Sequence, residues 1–174
     1  GAVRFPARFA LVGAMNPCPC GYRGDPRREC SCTPAQVQRY LARLSGPLLD
    51  RIDLHVEVPR PPTDDLLLGG PGEVSAVVRA RVIAARGRAA ERALRDVPDV
   101  ASRGPRRSGP IDDRGLMFLR SAAERLGLGA RATERILRVA RAIADLDDAA
   151  VVGTAHIAEA FQYRVLDRRA LRPP

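Results

Sequence analysis

Between Pro17 and Thr33 the chain has no apolar periodicity, yet this segment holds all four of its cysteines, set among prolines, glycines and arginines. A segment of that kind cannot bury a core, so something other than packing must hold it in shape. The cysteines are Cys18, Cys20, Cys30 and Cys32, two C-x-C pairs. Four thiolates are the ligand set of a closed tetrahedral zinc site, and zinc would staple a loop that lacks a core of its own. The spacing departs from the common C-x2-C pair, which leaves reduced free thiols as a second reading and a disulfide or a cluster as a third. Arg23, Arg27 and Arg28 lie on the same segment, either solvated or able to meet a phosphate backbone.

The flanking residues carry ordinary secondary-structure signals. Arg8 to Met15 is an apolar run of strand length that stops at Asn16-Pro17, where proline cannot donate to a ladder, so Asn16 is expected at a strand tip. Thr33-Pro34 reads as N-cap and first helical residue, and Val37, Tyr40, Leu41 and Leu44 recur at helical spacing until Ser45-Gly46 breaks the run. Pro47 to Arg51 suits one more helical turn. Asp53 to Val58 alternates, which predicts a half-exposed strand with Leu54, Val56 and Val58 on one face and His55 on the outer one.

Pro59-Arg-Pro-Pro62 and Gly69-Gly-Pro-Gly72 then mark a linker over 61–72. Val74, Val77, Val78 and Val82 form the apolar stripe of a long helix reaching about Ala93. Residues 96–111 are polar and rich in Pro, Gly and Arg; three amphipathic helices are expected after them, over 112–126, 130–146 and 154–167, with Asp112 and Thr154 as caps. Aromatics make up only 4% and tryptophan is absent, so the core must be aliphatic, which favours helix packing over a sandwich. The expected fold class is α/β plus all-α: residues 1–60 with few strands, short helices and the cysteine-rich insertion 17–33, the linker, and a helical bundle over 73–174.

All twenty-nine basic residues are arginine. A phosphate-cradling loop of the G-x-x-x-x-G-K-[ST] kind needs its lysine, so this chain cannot supply one. The net charge of +9 is spread along the sequence, compatible with a polyanionic partner or with solvated arginine-rich faces. No apolar stretch approaches the ~18–20 residues of a membrane-spanning helix, and a cytoplasmic protein is expected. The abrupt entry into an apolar run at Phe9 suggests that upstream sequence is missing. His55 and His156 have no serine or carboxylate pattern beside them and read as structural.

Four separated segments, Ala14-Met-Asn-Pro-Cys-Pro-Cys-Gly21, Leu44-Ser-Gly-Pro-Leu-Leu-Asp-Arg-Ile-Asp-Leu54, Arg138-Val-Ala-Arg-Ala-Ile-Ala-Asp-Leu146 and Tyr163-Arg-Val-Leu-Asp-Arg168, resemble the magnesium-chelatase-like AAA+ ATPases, most closely their ComM/YifB-type branch. The resemblance covers the chain nearly end to end and corresponds to the C-terminal part of a longer protein. It implies the last strands and helices of an AAA+ core, then a helical lid. It also implies ATP with Mg, bound mainly by a missing N-terminal part, and hydrolysis in a homo-oligomeric ring, expected to be a hexamer, that remodels DNA by branch migration or helicase action in recombination or transformation.

Asn16 matches the sensor-1 position, where an amide can hold the attacking water or a γ-phosphate oxygen. Arg51 matches the arginine finger offered to a neighbouring subunit, with Asp50 more suited to positioning it than to touching nucleotide. Arg131 matches sensor 2 at a helix N-terminus, an end already favourable to phosphate. Arg135 and Arg138 share its stripe and read as a solvated basic face. Some relatives in the resembled family lack the cysteines, which would make any zinc structural. Two alternatives stand beside this reading: a magnesium-chelatase ATPase subunit in tetrapyrrole synthesis, and a zinc-stapled nucleic-acid-binding module with no nucleotide role. The fragment alone is expected to be inactive.

Overall fold

Local capping chemistry sets the helix starts in the computed structural model, which describes Val3 and residues 9–49, 51–95 and 109–164. In α1 (Pro34–Leu41) the Thr33 hydroxyl accepts the Gln36 N–H at 3.3 Å while the Gln36 side chain accepts the Thr33 N–H at 2.9 Å. This reciprocal box satisfies two N–H groups that a helix end would otherwise leave without partners. The helices that follow are α2 (Gly46–Leu49), α3 (Thr63–Leu67), α4 (Ser75–Arg95), α5 (Asp113–Leu126), α6 (Ala130–Leu146) and α7 (Thr154–Gln162). The described residues are mostly helical, and β-pairing among them is limited to two isolated parallel bridges, His55 with Arg164 and Ile111 with Val152. None of these helices is long and apolar enough to cross a membrane.

The chain divides into two compact units, Gly1–Ser45 and Gly46–Pro174. In the first, the run expected as a strand forms no ladder over its described part, residues 9–15; Phe9, Leu11, Val12 and Met15 are exposed, Val12 by 93%. A strand needs a partner, and the described residues supply none beside this run. Among the described residues of this unit, those buried are Cys18 in the cysteine loop and Val37 of α1.

The second unit is organised around α6, against which α4 and α7 pack, while α5 packs on α7. Its core joins Leu119, Ile136, Leu137, Ala140, Ile143, Ala144, Val152, Ile157, Ala160 and Phe161. The core is aliphatic apart from Phe161, which meets Phe118 edge to face at 6.1 Å. Burying side chains such as Ile136 and Ile157, both essentially inaccessible, stabilises this bundle by about 1.5–3 kcal/mol each.

Asp112 caps α5 by accepting the Gly115 N–H, and the helix ends at Gly127, whose φ of 60° is left-handed. There the Gly127 and Leu128 N–H groups reach back to Glu124 and Ala123, the turn that favours glycine. The Ile111–Val152 bridge, with Val152 N–H on Pro110 O at 2.9 Å and Asp112 N–H on Val152 O at 3.1 Å, starts α5 and α7 side by side.

The second unit departs from expectation at several places. Leu54, Val56 and Val58 are exposed, and so are Asp53 and Glu57; the strand expected over 53–58 is reduced to a single bridge at His55, which is 6% exposed. The reason is a tertiary pairing: the His55 N–H donates to Tyr163 O at 2.8 Å, which turns that residue inward. The linker expected at 61–72 contains the short helix α3. Thr154 is the first helical residue of α7 rather than its cap; the cap is Gly153, whose N–H donates to His156 Nδ1 at 3.0 Å. That bond needs a lone pair on Nδ1, which leaves the proton on Nε2, 3.5 Å from Asp147. The valine stripe expected along α4 is largely uncovered: Val74, just before the helix, and Val77 and Val78 within it are 68%, 48% and 37% exposed. Arg8, Asp50, the polar segment 96–108 and everything from 165 onward lie outside the described residues.

Candidate functional site

The cysteine loop begins immediately after Asn16. The Gly21 N–H bonds Cys18 O at 3.0 Å and the Asp25 N–H bonds Tyr22 O at 3.0 Å, while the Asp25 carboxylate accepts the Arg27 and Arg28 N–H groups at 2.8 and 3.1 Å. These turns return the chain so that both C-x-C pairs meet. Sγ of Cys18 lies 3.4 Å from Cys20 and 3.6 Å from Cys30, Cys20 and Cys30 are 3.6 Å apart, and all four sulfurs lie within 4.8 Å of one another. A regular tetrahedron of thiolates around zinc, with Zn–S of about 2.3 Å, has sulfur–sulfur edges of about 3.8 Å. The four donors therefore fit zinc closely, and the separations are far too long for a disulfide.

Backbone N–H groups point at the sulfurs, including Cys20 N–H to Cys32 Sγ at 3.4 Å. The Tyr22 N–H has the largest effect on Cys20 and lowers its thiol to about 5, with burial opposing and the Cys18 and Cys32 thiols assisting. At Cys32 the Cys20 N–H lowers the thiol, but burial and the three neighbouring thiols outweigh it and push it up to about 12. One sulfur ionises readily and another resists, because burial and the hydrogen bonds among the clustered thiols favour its protonated form. A divalent cation reverses that preference, so the cluster is poised to give up protons on metal binding.

Asn16 is exposed and its amide lies against Gly21, where a Cβ would sit 3.9 Å from the Asn16 Cγ. The loop that the sulfurs close thus also fixes the surroundings of this side chain. Arg28 stacks over the Tyr22 ring at 4.0 Å and donates to the Tyr22 hydroxyl at 2.8 Å. Arg23, Arg27 and Arg28 are all exposed.

Arg51 follows α2, its N–H bonded to Leu48 O at 2.9 Å, and its side chain is exposed. Arg131 is exposed in the first turn of α6, whose N-cap Gly129 offers no side-chain acceptor. Both arginines reach solvent, and no bond joins them to each other among the contacts of the described residues. Their burial contrasts with that of Arg135, Arg141 and Arg164, which are 8%, 4% and 4% exposed. Arg135 is therefore not part of a solvated face. Its Nε lies 3.6 Å from Asp53 Oδ1, and Arg138, which is exposed, reaches the same oxygen from 3.4 Å.

Sequence reasoning also missed an ion cluster at the far end of α6. Asp145 accepts Arg92 Nη1 and Nη2 at 2.8 and 2.7 Å, one on each oxygen, and Arg141 Nε at 3.1 Å. Arg141 also donates to the carbonyls of Ala149 and Ala150, tying down the connection to α7. Arg88 donates to Asp145 O at 2.9 and 2.6 Å and pairs with Asp148 at 2.8 Å. The one available signal was Arg141 four residues before Asp145 within an otherwise apolar stretch of helix, a spacing that places them on one face.

Comparison with known proteins matches both parts of the chain. The family described as magnesium chelatase, subunit ChlI, matches residues 1–66, and the C-terminal region of that subunit matches residues 72–164. The protein YifB of Escherichia coli is 44% identical over 173 residues, covering 95% of this chain and 33% of its own length. The competence protein ComM of Haemophilus influenzae is 45% identical over 168 residues, covering 95% of this chain and 32% of its own. A protein of Mycobacterium tuberculosis is 39% identical over 168 residues, covering 94% and 33%. The chain thus spans about a third of the length of the curated relatives it matches. Two family matches in the expected order, over nearly all the described residues, place the chain in the magnesium-chelatase-like family.

Proposed function

We propose that this chain works as the C-terminal part of a magnesium-chelatase-like AAA+ ATPase of the ComM type, which couples ATP hydrolysis in a cytoplasmic ring, a hexamer in its full-length form, to DNA remodelling. The observation that carries this reading is the exposed Arg51 guanidinium on a short turn held by backbone bonds, in a unit whose neighbouring arginines 135 and 164 are buried. A guanidinium presented in this way is suited to a phosphate outside its own fold, because it stays charged at any physiological pH and its fork matches phosphate oxygens. Arg51 would complete the ATP site of a neighbouring protomer, stabilising charge on the transferring phosphoryl group.

Arg131 would contact the γ-phosphate of its own protomer's nucleotide, assisted by the uncapped N–H groups that begin α6. Asn16 would orient the attacking water or a γ-phosphate oxygen, with its amide steadied by the cysteine loop. ATP and Mg are held mainly by sequence outside this chain, which contains no lysine for a phosphate loop. Cys18, Cys20, Cys30 and Cys32 would hold a structural zinc, which supplies cross-linking of the loop and no step of hydrolysis.

The reading of DNA as substrate rests on the similarity to ComM, whose name ties that protein to competence. Metal insertion into a tetrapyrrole is the second reading, favoured by the description of the matched family. In the full-length protein, Arg51→Ala should lower kcat for ATP roughly a thousandfold with little change in KM. Unchanged hydrolysis would overturn the proposal. Stimulation of the wild-type ATPase by branched DNA supports the first substrate reading, and stimulation by a porphyrin with Mg the second.

A further inference from the structure

The turn that carries Arg51 is bound to the helical bundle of its own unit at three of the next four residues. Ile52 O accepts Arg164 Nη1 at 2.9 Å, Asp53 Oδ1 faces Arg135 at 3.6 Å and Arg138 at 3.4 Å, and His55 N–H donates to Tyr163 O at 2.8 Å. Two of these anchors come from α6 and two, Tyr163 and Arg164, from the residues just after α7. Arg135 is the costly one. Taking a guanidinium out of water is unfavourable unless a carboxylate compensates it, and Asp53 is the carboxylate that faces it. Spacings of four and three residues put Arg131, Arg135 and Arg138 on one stripe of α6. The helix that offers Arg131 at its start therefore holds, by the next two arginines of the same stripe, the carboxylate two residues beyond Arg51.

We infer that Asp53 is a positioning residue: clasped by Arg135 and Arg138, it makes the aim of Arg51 at a neighbour's ATP depend on where α6 sits, and hence on the contact of Arg131 with the protomer's own nucleotide. The inference rests on the finger and sensor roles proposed above and adds a physical link between them. Asp53 touches no nucleotide in this scheme. Because α6 is stiff over its length, a shift at its N-terminus is delivered to the clasp within two turns. A rigid element that two sites both bias is what coupling between protomers requires.

The test uses the full-length protein and steady-state ATPase. Asp53→Asn and Arg138→Gln should each lower kcat about tenfold while KM for ATP stays within about twofold, since misaiming a charge-stabilising group removes transition-state binding alone. Ring assembly should be unchanged in both variants and the melting temperature unchanged in Arg138→Gln, because Asp53 and Arg138 are 53% and 60% exposed in their side chains and such a pair contributes little to stability. Asp53→Asn should lower the melting temperature, because the buried Arg135 loses the carboxylate that faces it. The double variant should be no worse than either single one, and in an Arg51→Ala background Asp53→Asn should have no further effect.

If Arg51→Ala is severe and Asp53→Asn and Arg138→Gln leave kcat intact, the clasp has no positioning role and the finger reading survives. If Arg51→Ala itself is silent, the finger reading falls first. A rise in KM without loss of kcat, or additive losses in the Arg51→Ala background, would also overturn the inference. Should Asp53→Asn fail to fold, Arg138→Gln alone decides, because its side chain is exposed and pairs only at the clasp among the described contacts.

Discussion

Replacing Asp145 by Asn tests the account of how the bundle is held. The carboxylate sits with 6% of its side chain exposed, between Arg92 at 21% and Arg141 at 5%. It receives both prongs of Arg92 and one N–H of Arg141, so its single negative charge is shared between two largely desolvated guanidinium groups. Asn keeps one acceptor oxygen but sets an NH2 donor against a guanidinium and removes the charge. Breaking a buried pair from one side costs about 3–5 kcal/mol. Arg141 retains its bonds to Ala149 and Ala150, which places the loss near the lower end, about 3 kcal/mol. For a chain of this size that corresponds to a melting temperature lower by about 6–12 °C.

The pH dependence of Asp145 has a definite sign. Burial alone raises the carboxyl, but the Arg92 hydrogen bonds and the charges of Arg141 and Arg92 outweigh it and hold it below the ordinary value of 3.8. A folded value below the unfolded one gives stability that is complete above the unfolded pKa and is lost as pH falls through the folded pKa. Wild type should therefore lose this contribution below about pH 4, and Asp145→Asn should lack that limb of the curve. Chemical denaturation of the 174-residue chain across pH measures both effects. The control is Asp148→Asn, whose carboxylate is 77% exposed and should cost no more than about 0.5 kcal/mol. If Asp145→Asn costs as little as that control, the cluster does not clamp α4 and the next connection to α6.

The chain expressed with zinc should bind about one equivalent, and Cys30→Ser or a strong chelator should release it and expose residues 17–33 to protease while the α5–α7 bundle keeps its thermal transition; a loop equally resistant without metal would refute the staple. Gly115→Ala should destabilise the bundle by about 1–2 kcal/mol despite a gain of about 1 kcal/mol in helix propensity. The new Cβ would lie 2.9 Å from Asp112 Oδ1, 3.1 Å from Ile157 Cδ1 and 3.3 Å from the Gly153 carbonyl carbon, and a neutral or stabilising result would show that α5 and α7 are less closely packed. The isolated chain should hydrolyse no ATP, and sustained turnover by a pure preparation would contradict the assignment of the phosphate loop to sequence outside it.

Interactions between near neighbours in sequence were legible without coordinates. Thr33 with Pro34 starts α1, Asp112 starts α5, and the span 130–146 is α6 to the residue, because caps and a 3.6-residue period act within a few positions. The convergence of two C-x-C pairs was legible for the same reason: a loop with no core needs a staple, and only those side chains can provide one. Tertiary structure decided what depended on a distant partner. His55 turns inward because its N–H finds Tyr163 O, although alternation put it on the outer face of a strand. Phe9 to Met15 has strand composition but no ladder, since pairing belongs to two segments and not to one. Arg135 and Arg141 look like surface cations on a helical wheel and are buried because Asp53 and Asp145 meet them there. A sequence shows where a charge lies along the chain, whereas the cost of burying it is settled only by the group that the fold brings opposite.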